Sequence, residues 1–375
     1  MKEKDKTMSS TKFIPPSPFV KASAQEFAEV MALLRTPPEQ RADLFARADS
    51  VRKEMMGDEV YLRGIIEFSN ICANACLYCG IRAENTKVNR YTISDEEILD
   101  VAHKMSDWQQ GTLVLQSGEA DSPANNKRIG ELITKIKEQT SLALTLSAGN
   151  RARDVYAYWA DCGVDRYLLR FETCDPDLFE KIHPDCTLAE RLDCLTYLRE
   201  LGVQVGSGFM IGVPEESLEI LAGNILLCRE YALDMIGVGP FIPHPDTPMG
   251  TLKNQYAQDQ DMFFVAIAAL RLMNKDAHIP ATTAFDAVFP DHDGRNKVLM
   301  CGGNVFMPNT TPLRYRGDYL LYPDKPCVDE DSSLCALCIP GRISMLGRTL
   351  GQGRGDSPRW KKRSGGDGGG TPRCG

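Results

Sequence analysis

From residue 59 onward, short apolar or β-branched runs alternate with longer helical patterns at 60–68, 112–116, 142–146, 165–172, 204–211, 234–240, 279–283 and 304–308. Parallel strands cannot be joined by tight turns, so each return to the same end of a sheet requires a crossover, usually a helix. Eight such units in about 250 residues predict an α/β fold, a complete (β/α)8 TIM-type barrel whose chemistry sits at the C-terminal strand ends. An open doubly wound sheet competes with it, but the G-x-G-x-x-G turn of that architecture is missing after the first strand.

The rest of the chain arranges itself around this rhythm. Residues 1–20 are rich in Lys, Ser and Pro and are expected to be disordered, whereas 24–56 read as two helices parted at Pro37-Pro38. A single barrel domain is expected over 21–348, with strands at about 60–308 and a cysteine-bearing closing segment at 309–348. Ser94-Asp95-Glu96-Glu97 has the form of a capping box, and a helix beginning near Thr187 puts Leu192, Leu195 and Leu198 on one face. Residues 349–375 are glycine-rich with a basic cluster, which predicts a low-complexity, flexible tail.

Composition excludes several classes of function. The net charge of −8 gives no basic footprint for nucleic acid. Thirteen cysteines, an odd number at irregular spacing, argue for metal ligation in a reducing compartment over a disulfide scaffold, so a cytoplasmic protein is expected. The longest apolar stretch, 262–270, is far short of the ~20 residues that cross a bilayer, and 1–20 lacks the apolar core of a signal peptide.

Cys72, Cys76 and Cys79 form a C-x3-C-x2-C loop directly after the first strand, with Tyr78 before the last thiol. Iron–sulfur cubanes are normally held by four cysteines, so three leave one iron open to an outside ligand. A zinc site would need a fourth ligand or a water, and no histidine lies within twenty residues of the loop. Polar or glycine-dense turns recur at the following strand ends: Gln116-Ser117-Gly118-Glu119, Ser147-Ala148-Gly149-Asn150, Glu172, and 206–212 with Met210. Singly, such a glycine more often marks a bulge and such a carboxylate is usually just solvated. Their succession behind a cluster loop is the stronger signal. Arg191, on a helix after the fourth strand, suits a carboxylate partner or an exposed ion pair equally. A late trio, Cys327, Cys335 and Cys338, has C-x7-C-x2-C spacing that could hold a second iron–sulfur cluster or zinc, or no metal at all.

The cysteine loop resembles the signature of the radical S-adenosylmethionine (SAM) superfamily. Longer runs resemble its HydE family of [FeFe]-hydrogenase maturases over roughly 55–348: Ile65-Ile66-Glu67-Phe68-Ser69-Asn70, Arg166-Tyr167-Leu168-Leu169-Arg170, Gly239-Pro240-Phe241-Ile242-Pro243-His244-Pro245 and Ile279-Pro280-Ala281-Thr282-Thr283. The resemblance implies a [4Fe-4S] cluster on Cys72, Cys76 and Cys79 that reductively cleaves SAM to a 5′-deoxyadenosyl radical. It implies SAM contacts from Tyr78, Gln116, Ser117, Gly118, Glu119, Ser147, Glu172, Arg191 and Met210. It places Arg166, Thr282, Thr283 and Met307 at an anion or substrate site, with the C-terminal segment closing one end of the barrel. The implied substrate is a small iron complex carrying CO, cyanide and cysteine, attacked at sulfur, with HydG and HydF as partners and this chain a monomer. Asn150 departs from the family pattern, where many relatives have glutamate. Two other readings remain open at this stage: a biotin synthase-like enzyme of sulfur insertion or carbon-skeleton rearrangement such as methylornithine synthase, and a non-catalytic iron–sulfur scaffold.

Overall fold

The computed structural model describes residues 15–365 apart from 109, 290, 292, 330 and 331, and leaves the side chains of 332–337 undescribed. The expected disorder of the first residues and Cys374 therefore lie outside the described residues for 1–14 and 366–375. All eight expected strands form, as β1 (Glu59–Ser69), β2 (Thr112–Ser117), β3 (Ala143–Ser147), β4 (Arg166–Leu168), β5 (Gln204–Ser207), β6 (Met235–Ile236), β7 (Pro280–Ala281) and β8 (Val305–Phe306). They pair in parallel in the order β6-β5-β4-β3-β2-β1-β8-β7. A parallel bridge between Met235 and His278, with Ile236 N–H donating to His278 O at 2.8 Å, joins β6 to the β7 side and completes the ring.

Two of the apolar runs break where the ring approaches the site. The 204–211 run splits into β5 and Met210–Ile211, and the 234–240 run into β6 and Gly239–Pro240, these two extensions pairing with each other. The break falls at Gly208, where φ is 155° and a Cβ would stand 1.9 Å from Gly237 O. Only glycine permits that backbone approach. In β1 the register to β2 shifts between Glu67 and Ser69, a bulge just before the cysteine loop.

Helices cover the outside. The helix Asp261–Met273 is buried from Met262 through Arg271, because Ala24–Leu34 and Arg41–Met56 pack over it. The apolar 262–270 stretch is thus a doubly covered helix, and among the described residues no helix is long and apolar enough to cross a membrane. Thr187 and Glu190 form the full reciprocal box. At Ser94 only half of it forms: the hydroxyl accepts from Glu97 N–H at 3.3 Å, while the Glu97 carboxylate is drawn to Arg314 and to Tyr315 Oη.

The flexible tail expected from 349 is instead an ordered strap as far as 365. Thr349–Leu350 adds in parallel to Glu59–Val60, and the chain then passes beneath the barrel. There the Asp356 carboxylate accepts from Arg166 Nη2 at 2.6 Å, Gln204 Nε2 at 2.7 Å and Arg354 Nε at 2.9 Å. Arg354 Nη2 donates to Asp165 at 2.7 Å, Arg359 pairs with Asp276 at 2.7 Å, and Arg363 with Asp234 at 2.6 Å. The glycines that read as low complexity mark close passage: a Cβ on Gly111 would meet Gly353 O at 1.6 Å, and Gly351 and Gly355 lie against the Tyr61 ring. The end of the barrel away from the cysteine loop is therefore closed by 349–364, beyond the closing segment expected at 309–348.

Candidate active site

At the C-terminal strand ends a cavity of about 320 Å³ is lined by Cys72, Cys76 and Cys79, together with residues from β1, β2, β3, β4, β6 and β7 and from the segments that follow β5 and β8. The cysteine loop has no regular structure of its own and is held by side chains reaching its carbonyls. Arg82 donates from Nε to Cys76 O at 3.1 Å and from Nη2 to Ala75 O at 3.0 Å. Arg90 donates to Asn70 O at 2.6 Å and Ile81 O at 2.8 Å. Backbone bonds from Ala73 to Glu119 O at 2.7 Å and from Gly80 to Leu321 O at 3.0 Å tie the loop to β2 and to the segment after the barrel. Gly118 is required here, since a Cβ would stand 2.4 Å from Ile71 O and 2.8 Å from Cys72 Cβ.

Three acid–base pairs share the cavity wall. Arg191 lies 3.9 Å from Glu119 and donates from Nη2 to His183 Nε2 at 3.0 Å. Burial opposes the Arg191 charge, yet Glu119 and the Cys186 thiol hold its affinity for a proton above the ordinary value. Burial and the Arg191 charge push His183 down to about 4, so it is neutral near pH 7 and accepts from the guanidinium. Glu119 has room because Gly149, at φ 85°, carries no Cβ; one would meet Glu119 Oε2 at 2.0 Å. The second pair is Arg170 Nη2 to Glu172 Oε2 at 3.0 Å. Among the described residues Arg170 Nε and Nη2 and Glu172 Oε2 are buried and make no hydrogen bond. Glu172 has φ 61°, a left-handed backbone that costs a non-glycine residue ~1–2 kcal/mol. The third pair joins Lys325 to Glu67, whose other oxygen accepts from Asn309 Nδ2 at 3.3 Å.

Every residue expected to contact SAM lines this cavity: Tyr78, Gln116, Ser117, Gly118, Glu119, Ser147, Glu172, Arg191 and Met210. So do Thr282, Thr283 and Met307, with Thr283 Oγ1 2.6 Å from Tyr322 Oη. Arg166 does not. Its guanidinium points to the opposite end of the barrel, to Thr112 Oγ1 at 3.1 Å, Arg354 O and Asp356, because Arg166 opens β4 rather than ending it. An arginine that shares the cavity wall with Thr282 and Thr283 is Arg170, four residues and ~13 Å further along the same strand direction. Arg170 lies two residues past the end of β4, at the cavity end of the strand, so depth along the chain could have selected it. Tyr319, Tyr322 and Lys325 were also missed; they come from a segment with no periodic signal. Asn150 is absent from the wall, its Oδ1 buried without a hydrogen bond among the described residues. Of the late trio, Cys327 is half-buried and Cys338 exposed, while the Cys335 side chain lies outside the described residues.

A family model described as Radical SAM superfamily matches residues 66–225. The [FeFe] hydrogenase maturase subunit HydE of Thermotoga maritima is 43% identical over 316 residues, spanning 84% of this chain and 89% of that protein. This chain belongs to the HydE family. Members of the HydE family are radical SAM enzymes, and membership implies a [4Fe-4S] cluster and SAM. The chain is also similar to 3-methylornithine synthase of Methanosarcina acetivorans, 25% identical over 78% of this chain and 82% of that one. Among solved structures, methylornithine synthase superposes with a TM-score of 0.73 at 22% identity, covering 89% of this chain and 96% of that one. The maturase HydG from Carboxydothermus hydrogenoformans superposes at 0.75 and 21% identity, covering 90% and 77%. At these identities the two structures show a shared fold.

The residues present fit the implied cluster and SAM. Burial raises all three loop thiols, and for Cys76 and Cys79 the charge of the neighbouring cysteines adds to it; Cys79 is pushed up to about 12 and Cys76 further. Three thiols that oppose one another's ionisation are a poor resting state by themselves, and bound iron reverses the penalty by stabilising thiolates. Among the described residues no three His, Cys, Asp or Glu side chains are gathered as around a single metal ion. The polar atoms of Arg170, Glu172 and Arg191 that make no hydrogen bond among the described residues supply both signs of charge that a zwitterionic amino acid with a ribose would meet.

Proposed function

We propose that this protein is a radical SAM maturase of [FeFe]-hydrogenase, with Cys72, Cys76 and Cys79 holding a [4Fe-4S] cluster. When bound, that cluster supplies the electron for reductive cleavage of SAM. The observation that carries the reading is the placement of three thiols and three acid–base pairs on the wall of one cavity at the C-terminal strand ends.

The chain's own residues divide the cavity. Glu119, Glu172 and Arg191 lie on the wall shared with the cysteine loop and bind the amino, carboxylate and ribose groups of SAM. Gly118 and Gly149 allow the backbone and Glu119 to approach closely. Arg170 and one hydroxyl of the Thr283–Tyr322 pair provide donors for the anionic ends of the substrate, which we take to be an iron complex bearing CO, cyanide and cysteine, while the Thr282 hydroxyl on the same wall donates to Val238 O at 2.8 Å. Arg170 Nε and Nη2, buried without a hydrogen bond among the described residues, would be costly to leave so unless a ligand or a water met them. The strap at 349–364 closes the far end and keeps solvent from entering beneath the substrate.

Anaerobically reconstituted protein with dithionite and SAM is expected to release 5′-deoxyadenosine, and Cys76→Ala is expected to abolish it. Product formed by Cys76→Ala at the parental rate refutes the assignment of the loop.

A further inference from the structure

Behind Glu172 lies a buried polar circuit whose middle members, Asn224 and Glu216, are not part of the cavity wall. Two residues after Glu172, Cys174 N–H donates to Asn224 Oδ1 at 2.6 Å. Asn224 Nδ2 donates to Glu216 Oε1 at 3.1 Å, and the other Glu216 oxygen accepts from Gly212 N–H at 2.6 Å. Gly212 follows Met210–Ile211, and Met210 N–H closes the loop by donating to Glu172 O at 3.0 Å. Both ends of the circuit, Glu172 and Met210, are cavity wall; Asn224 and Glu216 are 0% and 1% exposed and touch no part of it.

Two further observations say that this circuit holds a shape. Gly223, on the helix Leu218–Glu230, is pressed against the segment after Glu172, since a Cβ there would meet Cys174 Sγ at 2.6 Å. Glu172 itself sits in the left-handed region, which a non-glycine residue keeps only where its surroundings over-determine it. Glu216 has no cation among the groups that shift it: burial raises it to about 8, opposed only by the hydrogen bonds from Gly212 and Asn224. A lone carboxyl is expensive to bury merely to fill space. Its two oxygens do what a neutral aliphatic residue could not, receiving one donor from the loop and one from the helix.

We infer that Asn224 and Glu216 are positioning residues that set the Glu172 carboxylate and Met210 at the distance SAM requires. The inference rests on the reading that Glu172 contacts SAM. Asn224 anchors the strained segment to the helix, and Glu216 anchors the 210–212 turn to Asn224, so that the two walls of the SAM site move as one body.

The test is anaerobic calorimetry of the cluster-loaded protein with S-adenosylhomocysteine, which reads binding without turnover. Asn224→Leu is expected to weaken binding about tenfold, as loss of an orienting partner commonly does. Combined with Glu172→Gln it adds little to the loss from Glu172→Gln alone, because both act through one carboxylate. The near-isosteric variants guard against misfolding of Asn224→Leu. Asn224→Asp alone, assayed at about pH 9 where Glu216 is ionised, sets one carboxylate against another and weakens binding. Glu216→Gln with Asn224→Asp reverses donor and acceptor, keeps both backbone bonds, and restores affinity. Binding by Asn224→Leu and Asn224→Asp within about twofold of the parent, or losses that simply add, overturns the positioning role. Parental affinity in Glu172→Gln instead overturns the SAM reading of Glu172, a different failure.

Discussion

Removing the Asp356 carboxylate tests whether the strap is part of the folded barrel. Asp356 is 10% exposed and Arg166 4%, so Asp356→Ala leaves a buried guanidinium without its carboxylate. Losing one partner of a buried pair costs ~3–5 kcal/mol. Arg166 keeps Thr112 Oγ1 at 3.1 Å and Arg354 O at 2.6 Å, which argues for the lower end, about 3 kcal/mol. With ~2.1 cal/mol/K of unfolding entropy per residue over 375 residues, that is a fall of about 4 °C in Tm. Scanning calorimetry of the metal-free protein under reductant measures it. The pH dependence supplies a second check. Burial alone would raise Asp356, but Arg166 and the hydrogen bonds from Arg354 and Gln204 hold it well below the usual carboxylate range. A group depressed in the folded state stabilises above its unfolded value of ~3.9 and loses that contribution as pH falls through the folded value. The gap between parent and Asp356→Ala is therefore flat from about pH 6 to 8 and narrows only in acid. A Tm change below about 1 °C, or a gap that closes near neutrality, refutes the buried-pair account.

Two shorter predictions concern the cavity. Gly118→Ala drives a methyl against the Ile71 carbonyl, a backbone atom with little room to yield, and should at least roughly halve the iron bound per chain on reconstitution; full loading counts against the close approach. Arg170→Gln removes a charge-assisted donor worth ~1.5–3 kcal/mol and should raise KM for the iron–cyanide–cysteine complex at least about tenfold in an adenosyl-transfer assay. An unchanged KM would show that the substrate lies elsewhere.

Much of this was legible because it is local. Short apolar and β-branched runs marked all eight strands, helical patterns marked segments between them, and the three-cysteine loop declared itself by spacing after β1. The Thr187 box formed because both of its members are free to satisfy each other. Ser94 shows the limit: the Glu97 carboxylate is claimed by Arg314 and Tyr315, more than two hundred residues later. The same limit misplaced the anion arginine. Arg166 opens β4 and Arg170 follows its end, so the two differ in depth, which depends on where β4 begins relative to its neighbours.

The sequence by itself determined the barrel class, the cluster loop and the set of strand-end residues, because hydrophobic period and ligand spacing act over a few residues. Tertiary structure decided which arginine faces the cavity, which acid each cation meets, and that a glycine-rich tail is a closing strap. Those outcomes turn on buried charges finding partners across the fold. The cost of leaving such a charge unpaired is set by the three-dimensional surroundings, not by the neighbours along the chain.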